Sequence, residues 1–233
     1  MPFGGGVSRG FFIAGTDTGV GKTLAAQVML TALVTRGATA VGMKPVASGC
    51  RNTGSGLRND DAEALMAAAN VTAAYADVNP YAFAPAVAPH LAAHSAGVEI
   101  RVDVIAQAHA RLAGLADWIV VEGAGGWLTP IGDTQTMAEV AYALGLPVVL
   151  VVGMRLGCLN HALLTRRAIA ESRLPFAGWF GNCVDPEMER LEENIAALAA
   201  RLSGAPLAVF PYATQAAGPA FVTQLARTLE IPE

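Results

Sequence analysis

Cysteine is scarce: Cys50, Cys158 and Cys183 are the three in 233 residues, far apart and in no metal-ligand spacing. Such a set builds neither a disulfide framework nor a structural zinc site, and it points to a reducing compartment. Charge is scarce as well, at 15% of residues, and the formal net charge is −4. A mildly acidic chain lacks the basic face that displaces counterions from phosphates, so nucleic acid is not an expected partner. Long apolar runs are missing: Trp118–Val121 and Pro147–Val152 fall far short of the roughly 20 residues that span a bilayer. The glycine-rich Met1–Arg9 stretch has no apolar segment behind a basic start. No membrane association is expected, and the reading is a cytoplasmic protein. No repeat, low-complexity tract or linker divides the chain, which predicts a single domain over residues 1–233.

What is present is apolar and rhythmic. At 53% hydrophobic residues the chain can bury a full core. Short β-rich runs, at Gly10–Ala14, Ala38–Pro45, Trp118–Val121, Pro147–Val152, Phe176–Cys183 and Ala205–Phe210, alternate with helical segments. The helices are expected from Gly21 to near Gly37, and near Asp61–Ala69, Val102–Leu115, Met137–Leu144, Leu159–Glu171 and Pro186–Leu202. Continuous apolar strands suit a parallel sheet covered on both faces. The expected fold is therefore α/β, a doubly wound, mostly parallel sheet with helices on both sides. The alanine- and proline-rich stretch Val71–Pro89 breaks this rhythm and reads as an irregular insertion near a site, either a lid or a plain connector.

The strongest motif is Gly15-Thr16-Asp17-Thr18-Gly19-Val20-Gly21-Lys22-Thr23, set between a strand and a helix. Backbone N–H groups of such a loop and the positive end of the following helix hold phosphate oxygens. Lys22 adds a cation at the transferred phosphate, and Thr23 offers a hydroxyl to Mg²⁺. The loop departs from the usual spacing in one respect: Thr16 stands five positions before Gly21, and Gly15 one residue earlier.

Two carboxylates and a second lysine sit where such a fold places its chemistry, at C-terminal strand ends. Glu122 closes the Trp118–Val121 run, where an ionised group is costly unless paired. Asp61 opens a helix beside Asp60, and both also suit helix capping and dipole compensation. Lys44 ends the second strand and would add positive charge to the phosphate cleft.

Taken in order, the phosphate loop, Lys44-Pro45-Val46-Ala47-Ser48-Gly49, Arg58-Asn59-Asp60-Asp61-Ala62, Val121-Glu122-Gly123-Ala124-Gly125-Gly126-Trp127, Gly157-Cys158-Leu159-Asn160-His161-Ala162 and Gly181-Asn182-Cys183-Val184-Asp185-Pro186 resemble the dethiobiotin synthetase family. The resemblance runs over nearly the whole chain. It implies a P-loop NTPase-like fold and a homodimer with its substrate site at the subunit interface. It implies that ATP, Mg²⁺ and CO₂ (from bicarbonate) act on 7,8-diaminopelargonate through a carbamate and a carbamic-phosphoric anhydride. Carried over by position, Lys44, Lys22 and Thr18 are the catalytic set. Thr23, Asp61 and Glu122 hold Mg²⁺. ATP meets these three and Gly19, Val20, Gly21, Lys22 and Leu24, with Asn182, Pro211, Tyr212 and Ala213 toward the adenine. Thr18, Lys44, Ser48, Gly125, Arg155 and Asn160 face the substrate, and Asn160 helps a helix N-terminus receive its carboxylate. Gly19 replaces a glutamate common in the family loop, and Arg155 a lysine.

Other patterns carry less. His90 and His94 are four apart, yet no third ligand is evident and no zinc-protease glutamate follows. Ser48 has no nucleophile elbow around it. An amidating synthetase acting on cobyrinate or cobyrate would need a glutaminase domain for which the chain has no room. A cargo-positioning switch ATPase would carry an additional lysine early in the loop, and Gly15–Gly21 has none.

Overall fold

The computed structural model describes residues 9–213 and 218–232. All of the Met1–Arg9 stretch except Arg9 lies outside the described residues. In chain order the elements are β1 (Arg9–Gly15), α1 (Lys22–Thr35), β2 (Ala40–Met43), β3 (Val46–Ala47), β4 (Arg51–Thr53), β5 (Gly56–Arg58), α2 (Asp60–Ala68), α3 (Tyr75–Val78), β6 (Tyr81–Ala82) and α4 (Pro89–Ser95). They continue with α5 (Val102–Ala113), β7 (Trp118–Glu122), α6 (Met137–Leu144), β8 (Val148–Met154), α7 (Cys158–Glu171), β9 (Phe176–Cys183), α8 (Leu191–Ala199), β10 (Ala208–Phe210) and α9 (Pro219–Thr228).

Six strands form one sheet in the order β10-β9-β8-β1-β7-β2, and every neighbouring pair runs parallel. Successive side chains of a strand point to opposite faces, and here both faces are apolar. Phe11 and Ile13 of β1 pack with Ala25, Met29 and Leu33 of α1 and with Val222 and Ala226 of α9. Phe12 and Ala14, the alternate residues, join Ile105 and Leu112 of α5, Val140 of α6 and Ile169 of α7 on the other side. This is the doubly wound sheet expected from continuous apolar strands. At its far edge Phe180 and Phe210 stack with ring centroids 5.0 Å apart; burying each ring contributes about 1.5–3 kcal/mol.

Several boundaries move for local reasons. The Pro186–Leu202 helix begins only at Leu191, because Asp185 Oδ1 accepts the Glu187 N–H and Arg190 takes a left-handed φ of 57°. The strand expected from Ala205 is confined to Ala208–Phe210. The Val71–Pro89 stretch holds a one-turn helix, α3, and β6, which pairs with β3 as a short parallel ladder. Two helices outside the expected set open on prolines, α4 at Pro89 and α9 at Pro219. Proline is favoured at the first helical position, where its missing N–H costs nothing.

Candidate functional site

The phosphate loop leaves β1 and returns as α1, the central placement that brings it beside β8 on one side and β7 on the other. Gly19 and Gly21 adopt φ of 73° and 95°, in the left-handed region that L side chains avoid. Gly21 also has no room for a side chain, since a Cβ there would lie 2.3 Å from Asn182 Nδ2. That amide, reaching over from β9, donates to the Val20 carbonyl at 2.9 Å. Asn182 therefore holds the loop from behind as well as lying toward the end of β9.

Lys22, buried, donates from Nζ to the Asp17 carbonyl at 2.8 Å, folding back over its own loop. Burial, aided by the nearby Lys44 ammonium, lowers its pKa from the ordinary 10.5 to about 8. The Asp17 carboxylate accepts the Thr18 N–H at 2.7 Å and pairs with Arg155 at 2.6 Å. Arg155 follows β8, so this ion pair ties the loop to the neighbouring strand's exit.

Lys44 and Glu122 leave adjacent strands. Met43 of β2 sits in register with Val121 of β7, so the next residue of each falls side by side. Lys44 Nζ lies 2.6 Å from Glu122 Oε1 and 2.8 Å from Asp61 Oδ2. Glu122 is 1% exposed and Lys44 5%, so Lys44 is no surface lysine and Glu122 is paired as a buried charge requires. Burial works against the Lys44 charge, but the two carboxylates hold its pKa above the ordinary ammonium value. Burial likewise opposes the Asp61 carboxylate, and Lys44 still keeps it below the usual range. One ammonium serves two acids, and burial pushes the Glu122 carboxyl up despite the lysine.

Asp61 occupies the first turn of α2, whose cap is Asn59: the Asn59 side chain accepts the Ala62 N–H. Capping thus falls to Asn59, while Asp61 faces Lys44. Thr23 completes the group by donating from Oγ1 to Glu122 Oε1 at 2.9 Å. Glu122 Oε2 is buried without a hydrogen-bond partner. An all-oxygen set of hydroxyl and two carboxylates, with one orphan acceptor among them, fits a hard divalent cation such as Mg²⁺.

These residues line one cavity of about 830 Å³, together with Thr18, Gly19, Gly21, Ser48 and Gly125. The buried Ser48 hydroxyl has no partner. Gly125 takes φ 63°, and a Cβ there would meet Thr129 Oγ1 at 2.3 Å. Ala86, Val87, Ala88 and Pro89 close another side, which brings the end of the Val71–Pro89 stretch to the cavity. Leu24, on α1 behind the loop, Asn182, Arg155 and Asn160 are not among the lining residues, and neither are Pro211, Tyr212 and Ala213. Asn160 is exposed in the first turn of α7, and Pro211–Ala213 is exposed beyond β10. His90 and His94 gain no third ligand: among the described residues no three His, Cys, Asp or Glu side chains converge. Thr129 and Pro130 also line the cavity although no motif singled them out, and so does Asn59, which the Arg58–Ala62 segment contains but to which no role had been given.

A family model described as an AAA domain matches residues 9–220. The chain is 55% identical over 193 residues to the ATP-dependent dethiobiotin synthetase BioD of Xanthomonas oryzae pv. oryzae (strain PXO99A), covering 83% of this chain and 86% of that protein. It is 50% identical over 207 residues to the protein of the same name from Nitrosospira multiformis, covering 89% and 90%. With that from Pseudomonas paraeruginosa it is 50% identical over 213 residues, covering 91% and 93%. Among solved structures it is similar to the septum site-determining protein MinD complexed with Mg-ADP from Pyrococcus horikoshii OT3. That likeness has a TM-score of 0.56 at 14% identity and covers 97% of this chain and 87% of the other, so it bears on the fold alone.

Proposed function

Because the chain belongs to the ATP-dependent dethiobiotin synthetase family, we propose that the cavity between the phosphate loop, Lys44 and Glu122 is where it carries out that reaction. The protein is an ATP-dependent cyclo-ligase of biotin biosynthesis, closing the ureido ring of dethiobiotin on 7,8-diaminopelargonate. The observation that carries the site assignment is the convergence of two buried lysines and two carboxylates on one cavity beside the loop.

One amine of the diamine takes up CO₂ as a carbamate. A carbamate oxygen then attacks the γ-phosphorus of ATP and ADP leaves. The second amine attacks the carbamate carbon of the resulting mixed anhydride, and phosphate leaves as the ring closes. The loop N–H groups and Lys22 hold the phosphates, while Lys44 faces the carbamate oxygens and the phosphoryl in transit. Preorganised cations of this kind, shielded from water, stabilise the charge that builds up in transfer. Thr23, Asp61 and Glu122 would hold Mg²⁺, which supplies charge neutralisation on the nucleotide phosphates. Thr18, Ser48 and Gly125 contact the diamine, Asn182 and Pro211–Ala213 the adenine, and the whole chain acts as one domain.

The functional unit is a homodimer. Leu156, at 95% exposure, precedes α7 and Leu164, at 60%, lies within it one turn after the exposed Asn160, while Leu128, at 61%, lines a hollow with Leu164. Apolar surface of this kind favours a partner, and Asn160 would serve the partner's substrate. Arg155 contributes to the substrate side through the loop that it holds. Cytoplasmic residence is supported by three free, buried cysteines; among the described residues no helix is long and apolar enough to cross a membrane.

The test is phosphate release from ATP and Mg²⁺, with and without diaminopelargonate and bicarbonate. Release that requires both, with dethiobiotin formed in equal amount, is the expected outcome. Release indifferent to the diamine overturns the assignment.

A further inference from the structure

Lys44 is held at both ends. Its ammonium meets Asp61 and Glu122, and its backbone carbonyl accepts from Asn79 Nδ2 at 2.6 Å. Asn79 is 3% exposed and belongs to the stretch between α3 and β6 that no motif covers. Its side-chain oxygen accepts the Tyr75 hydroxyl at 3.1 Å, and that hydroxyl accepts the Asn59 N–H at 2.7 Å. Asn59 caps α2 through its side chain, accepting from Ala62 N at 3.2 Å. The first turn of α2 carries Asp61, whose carboxylate returns to Lys44 at 2.8 Å.

The contacts therefore form a closed ring: Lys44 carbonyl, Asn79, Tyr75, Asn59, the start of α2, Asp61 and the Lys44 ammonium. A lysine side chain is long and rotatable, and a helix terminus frays, so neither alone fixes where Nζ meets Asp61. A closed ring of hydrogen-bonded groups does, because its buried members Lys44, Asn79 and Asn59 are costly to leave unpaired. A plain connector needs no such path between the strand exit and the helix cap. The Arg58 guanidinium lies over the Tyr75 ring, 4.1 Å from its centroid, and adds a further contact to the tyrosine.

We propose that Asn79 and Tyr75 are positioning residues that act through the Lys44 carbonyl and the Asn59 cap to set Lys44 against Asp61. This rests on the assignment of Lys44 to the reaction made above. The Tyr75–Tyr81 part of the irregular stretch is then a brace rather than a lid.

The test compares Tyr75→Phe, Asn79→Ala and the double variant in the full-length enzyme. It reads kcat, KM for ATP, nucleotide bound per chain by calorimetry, and the unfolding midpoint. Tyr75→Phe keeps the ring against Arg58 and removes both hydrogen bonds, so it serves if Asn79→Ala fails to fold. Misplacing a reacting group by about 1 Å costs on the order of 10²-fold, so kcat should fall about 10- to 100-fold in each single variant. KM for ATP and nucleotide stoichiometry should change far less than kcat, because neither Tyr75 nor Asn79 lines the cavity or bonds to the loop residues 15–23. The double variant should be no slower than the worse single one, since each cuts the same ring. Single variants with parental kcat and only a lowered midpoint would make the ring merely structural and overturn the proposal. Multiplying losses in the double variant would overturn it too. A parent enzyme that makes no dethiobiotin, or a Lys44→Ala variant with normal turnover, instead defeats the functional assignment and the proposal with it.

Discussion

Replacing Lys44 with methionine tests how the buried charges depend on one another. The substitution keeps a long apolar stem and deletes the ammonium that lies 2.6 Å from Glu122 and 2.8 Å from Asp61. Asp61, 41% exposed at its side chain, can turn to water; Glu122, at 1%, cannot. Nearly the whole cost therefore falls on Glu122. Removing one partner of a buried pair destabilises by about 3–5 kcal/mol, because the other charge is left without compensation. For a chain of this length each kcal/mol moves the midpoint by about 2–4 °C, so Lys44→Met should melt on the order of 10 °C lower. Adding Glu122→Gln removes the stranded charge and leaves an amide able to accept from Thr23. The double variant should accordingly recover most of the loss and stand within about 1.5 kcal/mol of the parent. Urea unfolding at neutral pH, without nucleotide or divalent cation, measures both, and an unchanged m-value confirms that the same transition is followed. A double variant as unstable as Lys44→Met, or less stable, would refute the reasoning, since the cost would then not arise from an unpaired Glu122.

Four further outcomes are expected. Lys22 has its pKa lowered to about 8; it is charged below that value and neutral above it, so nucleotide affinity should fall as pH rises through about 8, and a Lys22→Met variant titrated by calorimetry should lose that pH dependence. The same shift acts on stability: the burial cost of the charged lysine is present in full below pH 8 and relieved between about 8 and 10.5, so urea midpoints of the parent should gain on those of Lys22→Met across that window. Gly21→Ala combines φ 95° with a Cβ 2.3 Å from Asn182 Nδ2; it should destabilise by about 1–3 kcal/mol from strain and lose nucleotide binding, and unchanged affinity by calorimetry would free the loop from that constraint. Leu156→Glu with Leu164→Glu should yield a monomer in sedimentation velocity, with the dimer retained only if α7 is not the contact face.

How much of this was legible in the sequence follows from the range of the forces involved. β1, β7, β8 and β9 were readable because both faces of the sheet are covered, which writes unbroken apolar runs into the chain. The loop and Lys22 were readable because their contacts are with near neighbours, as in the bond to Asp17. Glu122 advertised itself by the cost of a charge at the end of an apolar strand, although nothing local named Lys44 as its partner 78 residues earlier. Asp61 stood open between capping and chemistry until the fold gave the cap to Asn59. Asn79 and Tyr75 were silent: polar residues in an irregular stretch show no periodicity, and their value lies wholly in what the fold sets beside them. The helices α4, seven residues that start on the last residue of the irregular stretch, and α9, which lies beyond the last expected strand, were not among the expected elements.

The strand order has a consequence for assembly of the chain in time. β7 lies between β1 and β2, parallel to both, yet it is synthesised more than seventy residues after β2. The place between the first two strands is thus filled only from far along the chain, and contacts of such long sequence separation close slowly. Glu122 is the last residue of the inserted strand, and it meets Lys44 from the strand on one side and Thr23 from the helix after the other. A chain in which those three side chains touch has already filled the gap. Acquisition of the proposed reaction centre and closure of the sheet are in this protein a single event.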